Sequence, residues 1–173
     1  MIYRAIGLMS GSSLDGLDLA FADFTEQGGQ WTYEIKETAC YAYTAEWTEK
    51  LSKATQLNAL DYQLLHTAYG HYLGEQVNRF INEKQLHFQA ALVASHGHTS
   101  FHLPARKMTA QLGDGLQVCL GLDPGAEAAS VLLNLPRQER LVAQGQSARI
   151  GDLFRRGGQG KGGRYCPCEN YRC

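Results

Sequence analysis

No stretch of this 173-residue sequence approaches the ~20 consecutive apolar residues that a membrane-spanning helix requires. Neither sign of charge is in excess, since the formal net charge is −1, and nothing in the composition indicates binding to nucleic acid or to an anionic membrane surface. The first residues lack the basic segment followed by an apolar one that is typical of a signal peptide. We therefore expect a cytoplasmic protein with no nucleic-acid partner and no membrane partner.

A disulfide framework is also missing, because the five cysteines are odd in number and three of them crowd the end of the chain. Cys166, Cys168 and Cys173 have a spacing unlike the paired C-x₂-C units of zinc sites, which argues against a small metal knuckle. Cys40 and Cys119 are expected to be buried thiols. The chain is long enough to fold around one apolar core without such cross-links.

The sequence does contain a short segment rich in glycine and serine, residues 9–18, which reads MSGSSLDGLD. The apolar residues before it and the alternating residues after it predict adjacent strands over residues 3–8 and 17–24, so the segment forms the turn between them. Gly11 and Gly16 can adopt positive φ and let a ligand approach the backbone closely. The serine hydroxyls and successive backbone N–H groups of such a turn favour an anion such as a phosphate.

Two carboxylates in the same segment modify this interpretation. Asp15 and Asp18 would repel a bare phosphate, but they suit a divalent cation that bridges them to it directly or through water. An ordinary Gly/Ser hairpin in which aspartate serves as the turn former is the alternative. The segment is therefore interpreted either as a phosphate-binding turn or as a structural one.

A third strand is predicted over residues 31–43, so the chain opens with three antiparallel strands rather than with a strand followed by a helix. Two helices come next, one over residues 46–54 and a longer one that Asn58 caps. The apolar stripe of the longer helix is predicted to comprise Leu60, Leu64, Leu65, Ala68, Tyr72, Leu73, Gln76, Val77, Phe80 and Ile81.

Two glycines and two histidines interrupt this helical pattern. Gly70 and Gly74 lie one turn apart, and because each costs about 1 kcal/mol relative to alanine in a helix interior, we expect close backbone packing there. His66 and His71 are five residues apart and therefore do not share a helix face. We expect both to be surface or core polar residues rather than ligands.

A buried strand is predicted over residues 88–94, and it leads into the segment Ser95-His96-Gly97-His98-Thr99. In a mostly parallel sheet, ligands bind beyond the carboxyl ends of the strands, so this segment is a second candidate site. Histidine and threonine side chains favour a sugar-binding loop, and a zinc site that includes His102 is the alternative. A short strand over residues 109–112 then ends in Gly113-Asp114-Gly115, a turn whose only side chain is a carboxylate.

Three segments in order carry a resemblance to a known family: residues 8–18, 95–99 and 111–115, which read LMSGSSLDGLD, SHGHT and QLGDG. Together they closely resemble the anhydro-N-acetylmuramic acid kinases, and the resemblance runs from the first residue to about residue 115. Ser12 stands where the family pattern has threonine, and His98 stands where it has glutamine. The ordered set of three motifs is specific, whereas each motif alone is weaker.

This resemblance implies an α/β fold, namely an actin-like ATPase or sugar-kinase (ribonuclease H-like) lobe whose mixed sheet opens with antiparallel strands. It implies ATP and Mg²⁺ as cofactors and 1,6-anhydro-N-acetylmuramic acid as the small-molecule substrate, whose anhydro ring is cleaved with water and whose O6 is phosphorylated in cell-wall recycling. The implied nucleotide-phosphate site is Gly11, Ser12, Ser13, Leu14, Asp15, Gly16, Leu17 and Asp18, with Mg²⁺ held through Asp15 or Asp18. The sugar-binding candidates are Ser95, His96, Gly97, Thr99 and Asp114. A homodimer is left open.

Beyond residue 115 the resemblance stops, so we expect a kinase-like lobe over residues 1–115 and a divergent, irregular and poorly ordered tail over residues 116–173. Residues 1–115 carry 8 Lys/Arg against 12 Asp/Glu, net −4, whereas residues 116–173 carry 8 against 5, net +3. A helix over residues 125–133 is the one regular element expected in this tail. A reading-frame shift near codon 115 would explain the change, and a basic disordered extension is the alternative.

The resemblance also implies that part of the catalytic machinery has no counterpart. In the family, the aspartate thought to be the general base belongs to a segment that is not recognisable here, and neither Asp123 nor Asp152 has its sequence context. The catalytic residues are therefore unknown. Two functions follow as expectations: a kinase by descent, here incomplete and inactive, or a non-catalytic remnant that binds sugar or phosphate.

Overall fold

Three antiparallel strands open the fold, and the computed structural model describes residues 2–123 and 130–133 of the chain. Strand β1 (Ile2–Ser10) pairs with β2 (Gly16–Gln27), which pairs with β3 (Gln30–Ala42). Alternate side chains of β2 supply the core, and Leu17 and Leu19 are fully buried. The predicted antiparallel opening is confirmed, with β1 and β2 extending beyond their expected ends.

Two helices follow the third strand: α1 (Ala45–Ser52) and α2 (Ala59–Lys84), separated by a 3₁₀ turn. The Oγ1 of Thr44 accepts a hydrogen bond from the N–H of Trp47 at 3.3 Å, and this cap starts α1. The Oδ1 of Asn58 accepts one from the N–H of Asp61 at 3.0 Å, which confirms the predicted cap of α2. No helix in the described part of the chain combines the length and the apolar character that crossing a membrane would need.

The buried face of α2 differs from the predicted stripe in its first half. Leu60 and Leu64 are 69% and 59% exposed, and Ala68 is exposed as well, whereas Tyr69 is fully buried. At 100° per residue, the row of Leu60, Leu64 and Ala68 lies on the opposite side of the helix from the residues that face the sheet. The buried face consists of Leu65, Tyr69, Gly70, Tyr72, Leu73, Gly74, Val77, Phe80 and Ile81.

The second half of the described chain completes the sheet and adds a hairpin. Strand β4 (Leu92–Ser95) is followed by β5 (His98–Leu103) and β6 (Met108–Leu112), which pair with each other as a separate two-stranded sheet. Helix α3 (Gly115–Leu120) and strand β7 (Ser130–Leu133) come last. The main sheet has the order β3-β2-β1-β4-β7, in which β4 is parallel to both of its neighbours, so the predicted mixed α/β class is confirmed.

Four predictions about these elements are wrong. The strand predicted from residue 88 begins only at Leu92, because residues 87–89 form a turn in which Phe88 has a φ of 59° and is 78% exposed. Residues 130–133 of the predicted helix are a strand, since they find a parallel partner in β4. The tail is not irregular where α3 and β7 form, and its other residues after 123 lie outside the described part of the chain. Cys119 is exposed and Cys40 is half-buried, so neither is the buried thiol expected.

The predicted close packing at the helical glycines is confirmed. A Cβ added to Gly70 would lie 2.4 Å from the carbonyl oxygen of Asp114, and one added to Gly74 would lie 2.8 Å from that of Val118. Both distances are too short for any side chain, so α3 and the residue before it lie directly on the α2 backbone. The two glycines therefore decide how closely the end of the third motif approaches the helix.

The end of α2 allows a first test of the fold. Gln85 follows the helix in the left-handed conformation, with a φ of 56°, and its side chain is exposed. Because this conformation costs an L-residue roughly 1 kcal/mol, Gln85→Gly is expected to raise the free energy of unfolding by about that amount in a denaturant titration. Gln63→Gly, at an exposed position inside α2, is the control and should lower it by about 1 kcal/mol. A loss of stability in both variants would contradict the assigned helix end.

Candidate functional site

The three motifs that stand out in the sequence meet at one edge of the structure. Strands β1 and β4 are parallel with Leu8 opposite Ser95, so the segments that follow them leave the sheet on the same side. In the β5–β6 hairpin, His98 lies opposite Leu112, which brings the third motif to the second. A Cβ added to Gly113 would lie 3.8 Å from the Cα of Gly97.

The turn between β1 and β2 has a different backbone from the one expected. Neither Gly11 nor Gly16 has a positive φ; the left-handed residue is Leu14, with a φ of 57°. Gly16 is required for another reason, because a Cβ there would lie 2.7 Å from the carbonyl oxygen of Tyr41 on β3. The predicted need for glycine therefore holds at Gly16 through close strand packing, not through the sign of φ.

The polar side chains of the turn are open to solvent. Ser12, Ser13 and Asp15 are exposed, whereas Gly11, Gly16 and Leu17 are buried. The hydroxyl of Ser13 donates to Oδ1 of Asp15 at 2.6 Å, which ties the serine to the carboxylate. The turn thus presents hydroxyl groups and one carboxylate on its outer side, with an apolar base beneath them.

Tyr43, just after β3, contacts the buried side of this turn, a role that was not predicted. Its backbone N–H donates to the carbonyl oxygen of Asp15 at 3.4 Å, and its hydroxyl donates to Oγ of Ser10 at 2.8 Å. Burial raises the pKa of Tyr43 to about 12, and the charge of Asp18 adds to this rise. The phenol is therefore neutral and a hydrogen-bond donor at physiological pH. A tyrosine at the end of an alternating strand gave no signal of this role.

The two candidate carboxylates for a cation differ in position. Asp15 lies exposed in the turn, whereas Asp18 is half-buried on β2, opposite Met9 and Cys40. Within residues 2–123 and 130–133 there is no group of three or more His, Cys, Asp or Glu side chains that could hold a metal ion. The zinc alternative at His96, His98 and His102 is therefore wrong, and a cation at the turn would need further ligands from a bound phosphate or from water.

In the 95–99 loop, which follows β4, polar groups form hydrogen bonds within the loop and to β1. Ser95 is only 1% exposed, and its Oγ accepts a hydrogen bond from the N–H of Gly97 at 3.1 Å. The N–H of His96 donates to the carbonyl oxygen of Leu8 at 3.1 Å, which continues the β1–β4 pairing. Ser95 thus shapes the loop, while the side chains of His96 and Thr99 are half-buried at its surface.

His98, which was expected as a ligand only in the alternative zinc site, is the buried histidine of this loop. It is 6% exposed, and its Nδ1 lies 3.0 Å from Oγ of Ser10. Burial, and then the nearby His96, lower the pKa of His98 to about 4, so its imidazole is neutral at physiological pH. The sequence contains one indication that this position is unusual, namely a histidine where the family pattern has glutamine.

Asp114 begins α3 as its N-cap rather than lying in a simple turn. Its Oδ1 accepts a hydrogen bond from the N–H of Gln117 at 3.1 Å. His66 on α2 holds the preceding backbone, because its Nδ1 accepts from the N–H of Gly113 and its carbonyl oxygen accepts from the N–H of Asp114, both at 3.1 Å. As predicted, His66 is a polar residue of the fold, but its position against the third motif was missed.

The sequence is similar to those of known proteins. The sequence model of the family described as anhydro-N-acetylmuramic acid kinase matches residues 3–123. The chain belongs to the anhydro-N-acetylmuramic acid kinase family. A kinase of that name from Pseudoalteromonas translucida is 33% identical over 84% of this chain and 38% of its own length. Relatives of the same name from Picosynechococcus and Rhodopseudomonas palustris are each 30% identical, over 85% and 90% of this chain.

The chain is short compared with these family members. It spans 38% of the relatives from Pseudoalteromonas and Picosynechococcus and 43% of the one from Rhodopseudomonas. The segment that the family model matches includes all three motifs and α3, and it continues past residue 115 to residue 123. The relatives from Pseudoalteromonas and Rhodopseudomonas align with 84% and 90% of the chain, so the expectation that the resemblance stops at residue 115 is wrong. What the described residues contribute to a family member is therefore the part that contains the turn, the 95–99 loop and the cap at Asp114.

Proposed function

We propose that this chain is the phosphate-binding part of an ATP-dependent kinase of 1,6-anhydro-N-acetylmuramic acid, within an actin-like (ribonuclease H-like) lobe. The observation that carries the proposal is the meeting of the three motifs at one sheet edge, next to the ends of two parallel strands. Three antiparallel strands followed by parallel ones, with a Gly/Ser turn between the first two, also support such a lobe.

The reaction proposed for the family is a ring opening coupled to phosphoryl transfer. Water cleaves the 1,6-anhydro ring, O6 receives the phosphoryl group of ATP, and N-acetylmuramate 6-phosphate results. In this chain the hydroxyl of Ser12 and the backbone of the turn would hold the nucleotide phosphates, as expected of an exposed hydroxyl-rich turn. Ser13 would join them when a cation takes the place of its hydroxyl on Asp15. His96, Gly97, Thr99 and the remaining carboxylate oxygen of Asp114 would face the sugar.

The residues of the turn fit a magnesium nucleotide better than a free one. Asp15 is exposed among the hydroxyls that would contact phosphate, and Asp18 lies close enough to influence Tyr43. Two carboxylates near a phosphate require a cation between them, and Mg²⁺ usually combines one or two carboxylates with phosphate oxygens and water. When bound, Mg²⁺ would neutralise the charge of the transferred phosphoryl group.

A binding experiment tests the turn directly. Addition of Mg·ADP to ¹⁵N-labelled protein should shift the backbone amide resonances of residues 11–16, and the shifts should disappear when EDTA removes the metal. Ser12→Ala should weaken the binding by about tenfold, the equivalent of one hydrogen bond to a charged group. The control, Ser52→Ala on the exposed surface of α1, should leave it unchanged. Equal binding without metal, or shifts confined to other residues, would contradict the proposal.

We also propose that this polypeptide by itself does not turn over. It spans less than half of the length of the relatives it matches. It also contains no recognisable counterpart of the segment that holds the general base in the family. An assay that couples ADP release to anhydro-N-acetylmuramic acid should therefore give no signal with this chain. Steady ADP release would overturn this part of the proposal and favour a complete enzyme.

A non-catalytic sugar- or phosphate-binding module is the second candidate, which the exposed hydroxyls of the turn also fit. Such a module should bind Mg·ADP or sugar by itself, without the remaining sequence that other family members have. Determination of the DNA sequence downstream of codon 115 separates the two. Family sequence in another reading frame supports a frameshifted kinase, whereas a single clean frame supports the module.

A further inference from the structure

A line of four side chains connects the base of the turn with the 95–99 loop. The hydroxyl oxygens of Tyr69 and Tyr43 are 2.6 Å apart, the hydroxyl of Tyr43 donates to Oγ of Ser10 at 2.8 Å, and that atom lies 3.0 Å from Nδ1 of His98. These residues belong to α2, to the segment after β3, and to β1 and β5. Tyr69, Ser10 and His98 are buried and Tyr43 is half-buried, so solvent has little access to the line.

The number of protons available limits the possible directions of these hydrogen bonds. Each hydroxyl has one proton, and that of Tyr43 is donated to Ser10, so Tyr43 accepts from Tyr69. Ser10 accepts from Tyr43 and has its own proton to donate to Nδ1 of His98. A neutral imidazole that accepts at Nδ1 carries its proton on Nε2. The line of hydroxyls thus favours the Nε2–H tautomer, in which the proton of Ser10 has an acceptor; in the other tautomer, an Nδ1–H would donate to the second lone pair of Ser10.

We propose that His98 is a positioning residue, fixed in its Nε2–H tautomer by Ser10 and Tyr43, that couples the 11–16 turn to the 95–99 loop. Ser10 is the last residue of β1 and adjoins Gly11, while His98 directly follows Gly97. A ligand that displaces the turn moves Ser10, and the hydrogen bond carries the displacement to the loop. The identities of the two ligands rest on the proposed function, but the hydrogen-bond line does not.

The alternative is that His98 only fills space beneath the loop. The two roles differ in which substitution restores the wild-type behaviour. The side-chain oxygen of asparagine is bonded to Cγ, as Nδ1 is, so His98→Asn can still accept from Ser10. The polar atoms of glutamine lie one bond further out, as Nε2 does, so His98→Gln cannot reproduce this contact. If His98 only filled space, the ability to accept from Ser10 would not make His98→Asn behave more like the wild type than His98→Gln.

Nitrogen NMR of the intact chain tests the proposal without any ligand. The ¹⁵N resonances of the His98 ring should identify the Nε2–H tautomer, with Nδ1 as an acceptor. Ser10→Ala should move the Nδ1 resonance and the amide resonances of residues 96–99, and Tyr43→Phe should do the same if the first variant folds poorly. Tyr62→Phe is the matched control, because it removes the hydroxyl that contacts Ser100 beside the same loop but outside the line. An Nδ1–H tautomer, or no change in either variant, overturns the proposal.

Addition of Mg·ADP supplies the coupling measurement. In the wild type and in His98→Asn, the nucleotide should shift amides in both the turn and the 95–99 loop. In Ser10→Ala and His98→Gln, the shifts in the loop should fall roughly fivefold or more relative to those in the turn. Loop shifts that persist in all variants would overturn the coupling. If Mg·ADP shifts nothing in the turn, the proposed function fails, and the tautomer and amide measurements still decide the role of His98.

Discussion

Replacing Gly70 with valine is expected to lower the free energy of unfolding by about 3 kcal/mol, at the upper end of overpacking effects. A Cβ at this position would lie 2.4 Å from the carbonyl oxygen and 3.0 Å from the nitrogen of Asp114. Both are backbone atoms that the N-cap of α3 and the hydrogen bonds to His66 hold in place. The contact can be relieved only by moving α3 away from α2, which gives up the packing of Val118.

Alanine at the same position separates two opposing effects on stability, helix propensity and the steric contact with Asp114. Glycine to alanine inside a helix gains about 1 kcal/mol from propensity alone, so a neutral environment would make Gly70→Ala more stable than the wild type. The contact with Asp114 predicts the opposite sign in a denaturant titration. Ala68→Val, on the exposed side of the same helix, measures the propensity cost of valine and should lose less than about 1 kcal/mol. A stabilised Gly70→Ala would show that α3 does not lie on this helix.

The same substitution should affect the third motif. Because Gly70 lies against Asp114, Gly70→Ala should shift the amide resonances of residues 113–115, while Ala68→Val should leave them in place. This links the packing of two helices to a residue that the proposed function assigns to the sugar. The glycine is therefore relevant to the site although it lies in the middle of a helix.

Features that depend on local chemistry could be predicted from the sequence. Asn58 caps α2 because its side chain reaches a backbone N–H three residues later, a contact that the sequence contains by itself. Gly70 and Gly74 indicated close packing because glycine has no other advantage inside a helix. The turn after β1 and the carboxyl-end position of the 95–99 loop followed from strand patterns in the same way.

Features that depend on distant partners could not be predicted. Residues 130–133 are a strand because β4 offers them a parallel edge, and no local pattern contains that edge. Leu60 and Leu64 lie outside the core because only the position of α2 on the sheet decides which side of the helix is buried. Tyr43 and His66 contact the site through residues far away in the sequence, so neither could be assigned a role in advance. For the candidate site, the motifs could be found, but the side chains that hold them could not.

Acid should destabilise the protein through His98, and the effect is expected to be as large as that of Gly70→Val. The pKa of His98 is lowered from 6.5 to about 4 in the folded chain, mainly by burial. Above pH 6.5 the imidazole is neutral in both states. As the pH falls from 6.5 to 4, the unfolded chain binds a proton that the folded chain does not, so stability is lost across this range. The full loss corresponds to roughly 3 kcal/mol.

The measurement is the free energy of unfolding as a function of pH in the wild type, His98→Asn and His98→Gln. Carboxylates with lowered pKa values, such as Glu83, also cost stability in acid, but they do so equally in all three proteins. The difference between the wild type and each variant therefore isolates the imidazole. Both variants should lose less stability than the wild type between pH 6.5 and 4, because neither can be protonated there. If both decline as steeply as the wild type, His98 is not buried as a neutral group, and the hydrogen bond from Ser10 does not have the direction assigned to it.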